Sequence, residues 1–249
     1  MSPKRKAAET PRRIVVGLDF GTTHSGIAWA ATKDDMVVIS EWPSYSPFNT
    51  DKKKVPSTLL YRPGGEEPLW GYDIAPDEIP LTWFKLLLLD DEDLPNHVRN
   101  SDHLQQAKLL LQRSNRHVVE IIGDYIKLLW TFGMQDMERE MGRGQLSATQ
   151  LQLMVTVPAI WPLYARNRMQ QAIQHAGIMS LRPAGSVRLG FVSEPEAAAV
   201  AAMHDFSGRI SVQRNDHFVV CDAGGGTVVT FHPFLALSSL SAFSLFLFG

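Results

Sequence analysis

The chain has 249 residues, 45% of them hydrophobic and 20% charged, enough to bury a substantial core in one large domain or two small ones. A formal net charge of -2 gives no bulk attraction for nucleic acid, and the single cysteine, Cys221, excludes both an intrachain disulfide and a zinc cluster built on several thiolates. No apolar segment follows the first methionine, so no secretory leader is expected, and the chain reads as intracellular: cytoplasmic, with the nucleus as the alternative.

Residues 1–13 carry Lys4, Arg5, Lys6, Arg12 and Arg13 with almost nothing apolar, the pattern of a disordered basic arm. Pro3-Lys4-Arg5-Lys6 is also a candidate nuclear-import signal. The run Val15-Val16-Gly17-Leu18-Asp19-Phe20-Gly21-Thr22-Thr23-His24-Ser25 then reads as a strand, a tight turn and the start of a second strand. Glycine at the bend allows backbone N–H groups close to a phosphate, the threonines add donors, and an aspartate at the strand end can hold a hydrated divalent cation. His24, with no second histidine near it in sequence, is read as a neighbour of the turn and not as a metal ligand.

A third strand is expected at residues 36–41, followed by a proline-punctuated connection over 43–54. Short strand signals at 56–61 and 67–71 flank the turn Arg62-Pro63-Gly64-Gly65, and a mixed segment containing Trp83-Phe84-Lys85-Leu86 runs to Asp102. Residues 44–114 are read as a small insertion on a larger scaffold. Val118, Ile121, Ile122, Tyr125, Leu128, Leu129 and Phe132 recur at three- and four-residue steps and predict a long helix with its aromatics in the core. A buried strand at 151–157 ends at Pro158, a helix at 163–176 is closed by Gly177, a strand is expected at 187–192, and an alanine-rich helix at 196–203 is entered through Pro195.

A second glycine turn follows, in Phe218-Val219-Val220-Cys221-Asp222-Ala223-Gly224-Gly225-Gly226-Thr227-Val228, and it repeats the grammar of the first. Cys221 is read as a small buried strand residue. Two such hairpins suggest a duplicated fold that clamps a nucleotide's phosphates. The P-loop pattern Gly-x-x-x-x-Gly-Lys-Ser/Thr is absent.

With Val155-Thr156-Val157-Pro158-Ala159 and Glu194-Pro195-Glu196-Ala197-Ala198-Ala199 between them, the two turns occur in the order and approximate spacing of the DnaK-type, 70 kDa heat-shock chaperones. The resemblance runs from about Ile14 to Val228 and implies an α/β chain of the actin-like ATPase, ribonuclease-H-like fold: a first lobe over residues 14–208 and the opening hairpin of the second over 209–230. It implies ATP or ADP with Mg2+ as cofactors. Gly21, Thr22 and Thr23 resemble the first phosphate loop, and Gly224, Gly225, Gly226 and Thr227 the second. Asp19 and Asp222 resemble the carboxylates that hold magnesium through water, Glu194 the acid beside that water shell, and Lys85 the lysine that orients the attacking water. Pro158 resembles a proline that senses nucleotide state, with Arg166 or Arg168 as its partner. Such residues suit phosphoryl transfer to water, which needs charge neutralisation and an aligned water more than covalent participation.

The departures lie in the second hairpin and beyond. Val229 stands where the family usually carries an aspartate, and no Asp, Glu, Lys or Arg occurs after Asp222. Residues 231–249 are uncharged and largely apolar, read as an accidental non-family tail with a C-terminal membrane anchor as the alternative. A missing second lobe would leave the 218–222 strand with an unpaired edge and would remove the base pocket. The expectation is therefore a truncated ATP-binding domain of a protein-folding chaperone with little or no turnover, its clients and co-chaperones implied by the resemblance alone. The alternatives are a non-catalytic interaction module of the same fold and a sugar or acetate kinase of the same superfold, which the Glu194–Ala199 motif disfavours.

Overall fold

The structure, a computed structural model, describes residues 13–31, 36–46, 52–62, 64, 67–205, 220–223 and 228–231. The turn Gly224, Gly225, Gly226 and Thr227, residues 1–12 and the apolar residues 232–249 lie outside the described residues.

The strands are β1 (Arg13–Phe20), β2 (His24–Ala30), β3 (Val37–Val38), β4 (Val55–Pro56), β5 (Leu59–Leu60), β6 (Leu69–Trp70), β7 (Gln150–Val157), β8 (Arg188–Ser193), β9 (Val220–Ala223) and β10 (Val228–Phe231). The helices are α1 (Asn96–Arg99), α2 (Asp102–Ser114), α3 (Val118–Met141), α4 (Arg143–Ser147), α5 (Leu163–His175) and α6 (Glu194–Asp205). A 3-10 helix at Phe84–Leu88 carries Lys85.

The main sheet runs β3-β2-β1-β7-β8, with β4 added to β2. β1 is antiparallel to β2 and parallel to β7, and β7 is parallel to β8. Strand β1 is central, and Ile14, Val16, Leu18 and Phe20 are fully buried, which explains its nearly continuous apolar run. The expected strand over 36–41 is shorter: β3 pairs only Val37 and Val38, extended by Ile39 N–H donating to the Ile27 carbonyl at 3.2 Å.

Helix α3 covers the sheet with the stripe expected of it. Ile121, Ile122, Tyr125, Ile126 and Leu129 are fully buried, and the helix begins at a capping box in which Glu120 accepts from the His117 N–H at 2.8 Å. Helix α5 lies against α3, and Gly177, at φ +73°, follows its last turn as expected of a C-terminal glycine. The segment expected to be mixed contains α1, and α2 follows it, capped by the Ser101 hydroxyl accepting from the Leu104 N–H at 3.4 Å. Leu86, Leu94, Val98 and Leu104 form a second apolar cluster there.

The ribbon β9–β10 pairs Asp222 with Val229 and lies beside α6. Among the described residues, no helix is long and apolar enough to cross a membrane.

Candidate functional site

The parallel strands β1, β7 and β8 end on the same edge of the sheet. Leu18 is level with Val155, and Val157 with Ser193. Asp19 and Phe20 therefore close β1 beside Thr156 and Val157, and Glu194 opens α6 immediately after β8. The carboxyl edge of parallel strands is where α/β sheets bind ligands, because the chain turns there into loops and helix N-termini.

Asp19 is held on both oxygens. Thr156 donates its hydroxyl to Oδ1 at 2.9 Å, and Lys54 Nζ lies 2.9 Å from Oδ2. The turn beyond it is tied down from β4: the Ser57 N–H donates to the Thr23 carbonyl and the Ser57 hydroxyl to the Gly21 carbonyl, both at 2.8 Å. Ser57 Oγ is also 2.8 Å from Ser25 Oγ, and both serines are buried. Gly21 is required by close approach, since a Cβ there would sit 2.1 Å from the His24 carbonyl oxygen. Thr22 and Thr23 share this turn. Tyr125, wholly enclosed beneath it, donates to the Pro56 carbonyl at 3.1 Å, and burial drives its phenol far above the usual range. His24, at the first position of β2, has its pKa lowered by partial burial and, secondarily, by the Lys54 ammonium.

Lys85 is only 4% exposed, and its Nζ lies 2.6 Å from Glu194 Oε1. The ammonium also sits over the Phe20 ring at 5.7 Å and the Trp161 ring at 5.6 Å, positions in which aromatic faces stabilise a cation. The preceding residue pair explains how it is aimed. Trp83 has φ 59° and ψ 11°, an unfavourable left-handed conformation for a bulky side chain, stacked on His103 with centroids 4.9 Å apart. From there the 3-10 turn directs Lys85 inward.

Of the residues singled out in the sequence, Asp19, the turn Gly21–Thr23, Lys85 and Glu194 gather at this edge. Asp222 lies in β9, described by its backbone only, and Gly224–Thr227 lie outside the described residues. Arg168 donates to the Leu88 carbonyl at 2.8 Å and pairs with Asp90 at 2.9 Å, whereas Arg166 Nε is buried without a hydrogen-bond partner. Sequence reasoning missed Lys54 and Ser57. Their only signal was the position of Val55-Pro56-Ser57 after the Lys52–Lys54 run, and a two-residue strand has no periodicity to expose it.

The magnesium that the resemblance implies, held through water, would meet an Asp19 carboxylate already engaged on both oxygens. One oxygen accepts from Thr156 and the other is neutralised by Lys54. Among the described residues, no cluster of three or more His, Cys, Asp or Glu side chains is arranged to hold a metal ion.

The strand order, the polarity and the acidic residues at the parallel strand ends define an α/β chain of the ribonuclease-H-like class used by the actin-like ATPases. No protein-family model matches the chain. Among curated proteins it is 26% identical over 269 residues to heat shock 70 kDa protein 12A of Homo sapiens, covering 86% of this chain and 39% of that protein. It is 26% identical over 211 residues to human heat shock 70 kDa protein 12B, covering 80% and 30%. The HscA chaperone homolog of Actinobacillus pleuropneumoniae serotype 5b (strain L20) is 28% identical over 239 residues, covering 90% and 33%. Among solved structures, MreB5 of Spiroplasma citri bound to ADP aligns with a TM-score of 0.47 and 16% identity, covering 88% of this chain and 48% of that one. The chain is a divergent relative of the 70 kDa heat-shock chaperones and spans 30 to 39% of the length of these curated relatives.

Proposed function

We propose that the chain is nucleotide-binding sequence of a 70 kDa heat-shock-type chaperone, taking the phosphates of ATP or ADP at the carboxyl edge of β1, β7 and β8. The observation that carries this reading is the Lys85–Glu194 pair at 2.6 Å. It joins an ammonium from an apolar 3-10 turn to a carboxylate at a strand end, next to the turn after Asp19.

In this reading the backbone N–H groups of Gly21, Thr22 and Thr23, with the two threonine hydroxyls, receive one side of the phosphates, and Gly224, Gly225, Gly226 and Thr227 the other. Lys85 supplies positive charge to the terminal phosphoryl group and orients water, and Glu194 holds Lys85 in place and accepts from that water. Asp222, in β9, is given the acidic role that the resemblance implies for it. A divalent ion carried by the nucleotide would supply charge neutralisation to its phosphates. Hydrolysis is proposed to be slow, because Val229, the cross-strand partner of Asp222, stands where the resemblance calls for an aspartate. Folding clients and co-chaperones are proposed by kinship alone.

Thermal unfolding with and without millimolar ATP or ADP, each with magnesium, tests the reading, because a ligand that binds only the native state raises the midpoint by mass action. The expected result is a raised midpoint that shrinks in a Thr22→Ala, Thr23→Ala double variant. A cooperative transition that ignores both nucleotides would defeat it and favour a nucleotide-blind interaction module.

A further inference from the structure

We infer that Lys54 is a resident counter-cation of the phosphate end of this site, so that nucleotide binds beside Asp19 without needing a divalent ion there. The inference rests on the nucleotide reading above.

Its first support is the occupancy of Asp19. The carboxylate is 16% exposed and takes one oxygen to Thr156 and the other to Lys54. Magnesium demands near-octahedral oxygen coordination and keeps its waters. An ion approaching Oδ2, directly or through its water shell, would be opposed by an ammonium already 2.9 Å away.

The second support is the rigidity of the chain that delivers Lys54. The next two residues, Val55 and Pro56, pair with Ser25 and His24 at the mouth of the first turn. Ser57 is then bonded to the carbonyls of both Gly21 and Thr23. On Lys54 itself, the backbone carbonyl accepts from the Tyr72 hydroxyl at 3.2 Å. The lysine's backbone is thus carried by the same short stretch that shapes the phosphate turn, so the root of its side chain keeps a fixed relation to the turn. The Lys54 side chain is 42% exposed, so within this pair it is the positive group that faces solvent and any entering ligand.

The third support is the balance of charge. Asp19 and Glu194 would each repel a polyphosphate, but each has a lysine within 3 Å, Lys54 and Lys85 respectively. In most settings that balance is the task of a divalent cation. Lysine is a compact point charge on a flexible stem, and from one place it can stay near Asp19 and meet a phosphate oxygen.

Calorimetric titration of ADP into the full chain decides the matter, carried out once in magnesium and once in EDTA. The wild-type dissociation constant is expected to change by less than about threefold on removing magnesium, whereas Lys54→Met loses about tenfold or more in EDTA and recovers when magnesium is restored. Lys54→Arg, which keeps the charge, is expected to follow the wild type, and Lys54→Gln, which removes the charge with a polar side chain, is expected to follow Lys54→Met and carries the test should the methionine variant fail to fold. If the wild type loses ADP in EDTA to the same degree as Lys54→Met, the inference is overturned while nucleotide binding stands. Absence of ADP binding in both buffers overturns the nucleotide reading and this inference together.

Discussion

Lys85 Nζ and Glu194 Oε1 are 2.6 Å apart across 109 positions of sequence, with the ammonium 5.7 Å from the ring centroid of Phe20 and 5.6 Å from that of Trp161 and the lysine side chain only 4% exposed. Breaking such a pair from one side costs more than removing it whole, because the partner left behind is a buried, uncompensated charge. Glu194→Gln is expected to destabilise the fold by about 3 kcal/mol. Lys85→Met should cost less, since Glu194 keeps some access to water and the methionine packs on the same rings. The double variant should be more stable than the sum of the two losses predicts. Urea denaturation of all four proteins gives the coupling directly, and strictly additive costs would mean that the pair contributes nothing as a unit.

The two halves of this pair differ in how visible they were. Glu194 stands in a motif that closes a β-rich run and opens an alanine-rich helix, so its place at a strand end was legible. Helix α3 was equally plain, because its buried residues fall on one stripe over many turns. Helix α2 was not. Only Leu104 and Ala107 of its residues are buried, and the rest of its surface is polar or half-covered, so no stripe declares itself. Lys54 shows the same limit at the site: what makes it important is the pairing of β4 with β2, a long-range register that two residues cannot announce.

Ser57 ties the phosphate turn to β4, and its loss has a defined cost. Ser57→Ala removes the hydroxyl donor to the Gly21 carbonyl and leaves the fully buried Ser25 hydroxyl without that partner. A buried polar group stripped of its partner costs about 1–3 kcal/mol. Denaturant unfolding should show a loss in this range, and amide exchange should quicken at the backbone N–H of position 57, which bonds the Thr23 carbonyl. An unchanged midpoint would mean the turn is held by its backbone alone.

Two glycines of α3 should respond differently to the same change. A Cβ on Gly123 would lie 2.8 Å from the Ala172 carbonyl oxygen and 2.6 Å from His175 Cδ2, so α5 itself must move. A Cβ on Gly133 would meet chiefly the end of the Ile27 side chain, at 2.7 Å from Cδ1, which can rotate away. Gly123→Ala is expected to destabilise by about 1–3 kcal/mol despite the helix propensity gained, while Gly133→Ala stays within about 1 kcal/mol of neutral. Thermal melts of the two variants side by side would show the contrast, and equal effects would argue against a tight α3–α5 contact.

His24 reports on Lys54 through its titration. Its pKa lies below the ordinary 6.5, first because part of the ring is buried and second because the Lys54 ammonium opposes a second positive charge. The unfolded chain therefore protonates this residue at a higher pH than the folded one does. The contribution of His24 to stability is full above pH 6.5, declines as the pH falls from 6.5 toward the folded-state value, and changes no further below it. An NMR titration of the His24 imidazole should give a midpoint below 6.5 in the wild type and a higher one in Lys54→Met. The rise should fall short of the full 6.5, because burial is the larger cause and remains. A midpoint that ignores the Lys54 substitution would mean that the ammonium does not rest beside the first turn in solution.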